Sequence, residues 1–227
     1  MRRTAIWFGG LACLVASAVT EAQPQRPAAP AQPVTPADMR AATQAAQNGL
    51  TSFAQLVTRE NFQAMGFTRP DEVRSAVLGP PLPEFMVRLD ELRAFQRGHD
   101  PLPLLHPNHR MTFPVRVANA TRSALTVERR GTSWNVASYG APRYGALLDA
   151  TRDRLARQES RDPAEYFEVR VPALNVSFVG ARRDGRIALT PLVDDARFGF
   201  RAGGTLPAGD AFLAMVPAAQ RHNGLPS

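Results

Sequence analysis

The chain contains no lysine. All 27 of its cationic residues are arginine, set against 20 acidic residues for a formal net charge of +7. The sequence pI of about 11.0 therefore partly reflects the use of arginine instead of lysine. We interpret this pI first as a compositional bias, and only second as evidence of a charged binding surface. Cysteine is nearly as scarce, and the single Cys13 excludes both a disulfide framework and a cysteine-rich zinc site. A hydrophobic fraction of 44% is ordinary for a globular protein and argues against wholesale disorder.

The first 22 residues have the three parts of a secretory signal peptide. Arg2 and Arg3 form a positive start, residues 4–19 are apolar, and small residues follow at two candidate cleavage sites. We expect cleavage after Ala22, because the composition changes at Gln23. The apolar run is shorter than the roughly 20 residues that span a bilayer, which argues against a retained anchor. A lipoprotein signal, with Cys13 as the lipid-bearing residue of a lipobox, is the weaker alternative, because Gly10 occupies the position at which that motif has a leucine.

Removal of the signal peptide leaves a chain without a thiol and without a second long apolar run, so we expect no transmembrane segment in the mature protein. It also leaves 25 arginines against 19 acidic residues. For an exported chain we expect an anionic envelope surface or an envelope protein as partner, and no nucleic acid. Residues 23–36 have a proline at every third position from Pro24 to Pro36, which predicts an extended polyproline II spacer before a folded domain over 37–227.

The folded part begins with a helix-start signal. Thr35 is placed to cap, Pro36 takes the first helical position and Asp38 completes a capping-box pattern. Apolar spacings of three and four predict a helix over about 36–58, weakened near Gly49. A short turn around Gly66 and a third short helix ending by 79 complete a predicted helical N-terminal layer over about 36–79.

Period-two alternation then predicts strands, with the helices set apart from them. We expect strands over 85–89, from 111 to 138 in three segments, over 167–171, near 176–178, at 187–189 and at 198–200, with Asp184–Gly185 as a hairpin turn. Further helices are expected from Asp90 to Phe95, over 144–158, and from 208 to a stop at Pro217. The fold class predicted is α+β, an N-terminal helical layer followed by an antiparallel sheet packed by helices.

Two segments resemble each other. Residues 85–89 followed by Leu92 are similar to residues 167–171 followed by Leu174. Alternating valine-rich strands produce such matches by chance, so one α+β domain and two small αβ units with a boundary near 160 both stay open.

Several landmarks together resemble a group of secreted bacterial proteins without an assigned activity, over about residues 50–215. They are Gly66–Phe67, Asp71–Glu72–Val73, Leu78–Gly79–Pro80, Leu89–Asp90–Glu91–Leu92, Leu104–Leu105, Phe113–Pro114–Val115, Trp134 and Tyr139–Gly140. The resemblance implies an exported bacterial protein and transfers neither an activity nor a site residue.

Three of the four histidines, His99, His106 and His109, fall within eleven residues, and imidazole is a common metal ligand. Pro101, Pro103 and Pro107 predict an extended loop, which would hold the rings too far apart to converge on one ion. We therefore predict a polar loop, with no metal site and no cofactor.

The remaining candidates for chemistry are no stronger. Serines are present, but no GxSxG elbow or SxxK motif surrounds them. We interpret the adjacent carboxylates Asp194–Asp195 as solvated and Gly203–Gly204 as a flexible turn. Two arginine pairs stand at the ends of predicted strands, where their charges would discourage pairing with a further strand: Arg129–Arg130 and Arg182–Arg183. Trp134, spaced by two from Val136, is expected in the core.

No catalytic, cofactor or metal residue is therefore assigned from the sequence. We expect an exported, periplasmic or secreted, non-enzymatic protein that acts as a binding or accessory module and presents its sheet or a helical groove to a partner. The alternative is a secreted hydrolase whose site is assembled only in three dimensions.

Overall fold

The computed structural model of the protein describes residues 34–224. The predicted signal peptide and the spacer up to residue 33 lie outside the described residues. Four α-helices are present in this part of the chain: α1 (Pro36–Leu56), α2 (Leu89–Ala94), α3 (Pro142–Glu159) and α4 (Ala208–Arg221). The strands are β1 (Val77–Leu78), β2 (Leu82–Met86), β3 (His106–Val117), β4 (Ala120–Arg130), β5 (Ser133–Gly140), β6 (Tyr166–Val171), β7 (Val176–Arg183), β8 (Arg186–Pro191) and β9 (Leu206–Pro207).

The strands form one sheet in the order β5-β4-β3-β2-β6-β7-β8-β9, with β1 paired to β3. Neighbours are antiparallel except for β2 and β6, which run parallel in the middle. The fold class is α+β, as predicted, with one parallel pair inside a largely antiparallel sheet. The two segments that resemble each other in sequence lie in and just after this central pair.

Helices cover the two faces of the sheet unequally. On the first face, α1 packs over β4 and β5, and Ala46 and Phe53 share a buried cluster with Phe113 and Leu125. Further along the same face, α2 and α4 bury a second cluster that includes Phe212. The second face carries α3 alone among the described helices, with Leu148 and Leu155 packed on Leu82, Tyr166 and Val179.

The start of α1 follows from local signals. The Thr35 hydroxyl accepts from the Asp38 amide, and the Asp38 carboxylate accepts from the Thr35 amide, so the predicted capping box is confirmed. The helix is continuous through Gly49, the position near which the sequence predicts weakness. Gly49 is buried against Leu125 and Val136, where an added Cβ would lie 2.5 Å from Val136, so the missing side chain permits close packing.

The predicted third helix near 68–79 is only a 3₁₀ turn over Glu72–Ser75. The strand predicted over 85–89 lies three residues earlier, in β2. Pro83 pairs with Met111 of β3 beside a register irregularity, and pairing with β6 begins only at Glu84, so its missing N–H removes no bond from the β6 ladder.

Two C-terminal expectations are wrong. Phe198 and Phe200 do not form a strand, since only an isolated bridge joins Asp195 to Phe200. Phe200 instead enters the core from a loop and packs on Phe178, with 5.4 Å between the ring centroids. The final helix continues past Pro217, because apolar burial on both sides of the proline offsets its lost hydrogen bond.

Candidate functional site

A polar cleft lies on the second face of the sheet, beside the first turn of α3. Leu82 and Tyr166 lie under α3, and the next side chains on the same face of β2 and β6 are Glu84 and Glu168. The volume is about 240 Å³. The residues that line it are Glu84, Arg110, Thr112, Ala124, Thr126, Ser138, Gly140, Ala141, Tyr144, Glu168 and Arg170. We call this set the polar cleft.

The parallel pairing of β2 and β6 brings two carboxyl groups together. Glu84 and Glu168 are direct partners in the register, and neighbouring strands are about 4.8 Å apart. Both residues are buried, with exposed fractions of 4% for Glu84 and 0% for Glu168. Buried carboxyl groups are rare unless they are paired or hydrogen-bonded, so their partners define what each can do.

Both oxygens of Glu168 accept hydrogen bonds. The Tyr144 hydroxyl donates to Oε1, and the Thr112 hydroxyl donates to Oε2 at 3.1 Å. Burial raises the pKa of Glu168, and the charge of Glu84 acts in the same direction against the Tyr144 hydrogen bond and the Arg170 charge. Burial and the neighbouring Glu168 also raise the pKa of Tyr144, so this hydroxyl remains a neutral donor.

Glu84 has a different surrounding. The Asn108 amide donates to its Oε1, while Arg170 Nη1 lies 3.8 Å from its Oε2. Arg170 Nε lies 3.7 Å from Glu168 Oε1, so one guanidinium faces both carboxyl groups at distances longer than a hydrogen bond. The Oε2 atom of Glu84 is therefore an acceptor that a further donor can use.

Arg110 supplies a guanidinium that forms no ion pair with a described residue. It lies on β3 opposite Glu128 of β4, but the Glu128 carboxylate binds Arg130 instead. The Nε atom of Arg110 is buried and has no hydrogen-bond partner among the described residues. Thr126 of β4 and Ser138 of β5, partners in the strand register, add two hydroxyl groups to the same side of the polar cleft.

The polar cleft thus has two chemically different ends. The end on β3, β4 and β5 offers donors, from Arg110 and the hydroxyls of Thr126 and Ser138. The end on β2 and β6 offers a carboxylate oxygen of Glu84 beside the hydrogen-bonded Glu168. Such an arrangement can bind a small molecule that carries both an acceptor and a donor.

The histidines singled out in the sequence are dispersed. His99 is exposed with its ring against Phe95, His106 contacts the Glu91 carboxylate, and His109 is exposed. The predicted extended loop is wrong, since Leu102–Leu104 form a 3₁₀ turn and His106 begins β3. No group of three or more potential metal ligands occurs within residues 34–224.

The other candidates hold local structure. Asp195 forms an ion pair with Arg197 at 2.6 Å, and Asp194 accepts from the Ala202 amide, so the carboxylate pair stabilises a loop. Arg129 forms an ion pair with Asp38 of α1, and Trp134 packs against the cluster beneath α1.

The charged residues of the polar cleft are missing from the sequence-based expectations. Glu168 and Arg170 alternate with Phe167, Val169 and Val171, so the pattern assigns them to a solvated face. The available signal was the similarity between residues 85–89, which begin in β2, and residues 167–171 of β6, since β2 and β6 are neighbours in the sheet.

Comparison with protein families, curated proteins and solved structures returned no match.

Proposed function

We propose that the protein is an exported, non-enzymatic binding protein of the bacterial envelope that takes a small polar ligand in the polar cleft. One observation carries this proposal. A buried pair of glutamates shares a cleft with Arg110, a guanidinium that has a buried donor and no partner among the described residues.

The energetic argument rests on the cost of unpaired polar groups. Arg110 is only partly buried, so the cost falls on its buried Nε, and a buried donor without a hydrogen bond costs about 1–3 kcal/mol. By contrast, the buried Arg152 of α3 has three partners, the carboxylates of Asp149 and Asp153 and the Pro80 carbonyl. An uncompensated arginine in the same fold favours a site that a ligand completes.

Export is supported by the anatomy of residues 1–22 and by the resemblance to secreted bacterial proteins. Within residues 34–224, every helix is too short or too polar to cross a bilayer. N-terminal sequencing of protein from a periplasmic fraction tests export: a start at Gln23 supports it, and a start at Met1 or a lipid on Cys13 contradicts it.

Binding is tested by amide chemical-shift mapping of the mature protein with small acids, amines, polyols and amino acids. We expect at least one compound to shift amides of the polar cleft. Ser138→Tyr, which fills the cleft, should abolish these shifts, and Ser133→Tyr, at the exposed start of the same strand, should retain them. No shift with any compound, or equal shifts in both variants, would contradict the proposed binding function.

A hydrolase is the second candidate, favoured by the different surroundings of Glu84 and Glu168. In such an enzyme a protonated Glu168 would give its proton to the leaving oxygen, while ionised Glu84 would take a proton from the attacking water. Binding remains preferred, because both Glu168 oxygens already accept hydrogen bonds and no histidine lines the cleft. Hydrolysis of chromogenic glycosides that is lost in Glu168→Gln would support the enzyme and contradict the binding module.

A further inference from the structure

We propose that the ligand of the polar cleft is a small hydroxycarboxylate, with its carboxylate on Arg110 and its hydroxyl on Glu84. This inference rests on the proposed binding function and specifies the ligand of the same site.

The carboxylate end is defined by Arg110. A guanidinium presents a planar fork of donors that matches a carboxylate with two parallel hydrogen bonds. The buried Nε of Arg110 has no partner in the described part of the chain, so it retains its capacity to bind an anion. Thr126 and Ser138, on the two strands beyond β3, provide hydroxyl donors to the same end of the cleft.

The two arginines of the cleft favour an anionic group at one end only. Arg170 faces the carboxyl groups of Glu84 and Glu168 at 3.8 and 3.7 Å. Arg110 forms no ion pair with a described residue, and its buried Nε has no hydrogen-bond partner there. A ligand carboxylate would supply the missing partner, whereas an amine would place a second cation beside Arg110.

The hydroxyl end is defined by Glu84. Both Glu168 oxygens are used by Tyr144 and Thr112, so Glu168 has less capacity for a ligand donor. Glu84 Oε2 has only the long contact with Arg170, and an acceptor in this state gains from a hydroxyl donor. A neutral donor is sufficient, because Asn108 and Arg170 already stabilise the Glu84 charge.

The dimensions fit a short acid. The cleft volume of about 240 Å³ lies below the roughly 300–1,000 Å³ of sites for drug-sized ligands. Arg110 and Glu84 lie on the neighbouring strands β3 and β2, and both line this cleft, so one short molecule can contact both. A hydroxy acid of about three or four carbons carries a carboxylate and a hydroxyl within such a length.

Isothermal titration of the mature protein with glycerate, glycerol, propionate and serine tests the inference. Glycerol removes the carboxylate, propionate removes the hydroxyls, and serine adds an ammonium. We expect glycerate to bind at least about tenfold more tightly than each of the others, because only glycerate satisfies both ends without adding positive charge.

Variants assign the two ends. Arg110→Gln should weaken glycerate about tenfold or more, whereas Arg97→Gln, at an exposed arginine outside the cleft, should leave it unchanged. Glu84→Gln should reduce the preference for glycerate over propionate. Tighter binding of serine or glycerol would overturn the hydroxycarboxylate and retain the binding function. Failure of all four probes, while other compounds shift cleft amides, would overturn this inference alone.

Discussion

Two clusters of charged residues lie on the α3 side of the same sheet, and they differ in whether their charges are compensated. The first, the Asp149 network, contains Arg116, Thr121, Asp149, Arg152 and Asp153. Asp149 accepts from Arg116 at 2.7 Å and also from Thr121 and Arg152. Arg152 is fully buried, and its guanidinium also donates to Asp153 and to the Pro80 carbonyl. The second cluster is the polar cleft, where Arg110 has no such partners.

The difference separates a structural role from a binding role. Arg116 and Arg110 come from the same strand, β3, yet only Arg116 forms ion pairs. The Asp149 network joins α3 to β3 and to the segment before β2, so its charges stabilise the fold. The polar cleft has donors and acceptors beyond those that the fold uses, which is typical of a site that a ligand completes.

The largest expected effect comes from breaking the Asp149 network. Asp149→Asn removes one of the two carboxylates that Arg152 binds and also the Asp149 charge that pairs with Arg116, so we expect the free energy of unfolding to fall by about 3 kcal/mol. Chemical denaturation at neutral pH measures it. The matched control is Asp184→Asn, at an exposed turn position, which should change stability by less than about 0.5 kcal/mol. An Asp149→Asn protein as stable as this control would contradict a structural role for the network.

A smaller effect should follow from moving α3 relative to β4. An added Cβ at Gly145 would lie 2.8 Å from Ala124 Cβ and 3.1 Å from the Ser123 carbonyl oxygen. We expect Gly145→Ala to lower stability by about 1–3 kcal/mol, because a packed contact must open. Gly209→Ala in α4, where the space is open, should not destabilise. Amide shifts at Tyr144 would report the expected disturbance of the polar cleft, and an undisturbed cleft would contradict it.

The polar cleft also predicts a pH dependence. Because the folded pKa of Glu168 is raised above 4.5, the native state holds a proton that the unfolded state releases as the pH rises. The resulting contribution of Glu168 to the free energy of unfolding is fully present below pH 4.5 and is lost as the pH rises through the pKa of the folded state. We expect the stability of the parent protein, relative to Glu168→Gln, to decline by up to about 1.4 kcal/mol per pH unit. Urea midpoints over a pH series measure it.

Two comparisons test this assignment. Glu165→Gln removes an exposed carboxyl group nearby, and its curve should follow that of the parent. Parallel curves for the parent and Glu168→Gln would show that folding does not shift the pKa of Glu168, and would contradict the raised pKa.

Local signals explain how much of the fold the sequence predicts. The Thr35 cap and the Asp184–Gly185 turn depend on neighbouring residues, and both α1 and the β7–β8 hairpin lie close to their predicted positions. Long-range packing explains the errors. Pro217 favours a helix end, but burial of Met215 and Ala219 on either side keeps α4 continuous.

The candidate site was less predictable for the same reason. Glu84 and Glu168 are 84 positions apart, and only the parallel pairing of β2 with β6 makes them neighbours. Alternation identifies the apolar face of β6 but does not show whether the other face meets water or α3. The histidines are close in sequence, yet β3 and the preceding 3₁₀ turn separate their side chains in different environments.

The most direct test of the central claim compares two arginines of β3 by chemical denaturation. Arg116→Gln should lower the free energy of unfolding by about 2 kcal/mol, because it removes charge-assisted hydrogen bonds to Asp149 and Asp153. Arg110→Gln should leave it unchanged or raise it, because the folded chain gives Arg110 no ion pair to lose and the substitution removes a buried donor without a partner. Equal losses in the two variants would show that Arg110 stabilises the fold, and would contradict the assignment of the polar cleft to a ligand.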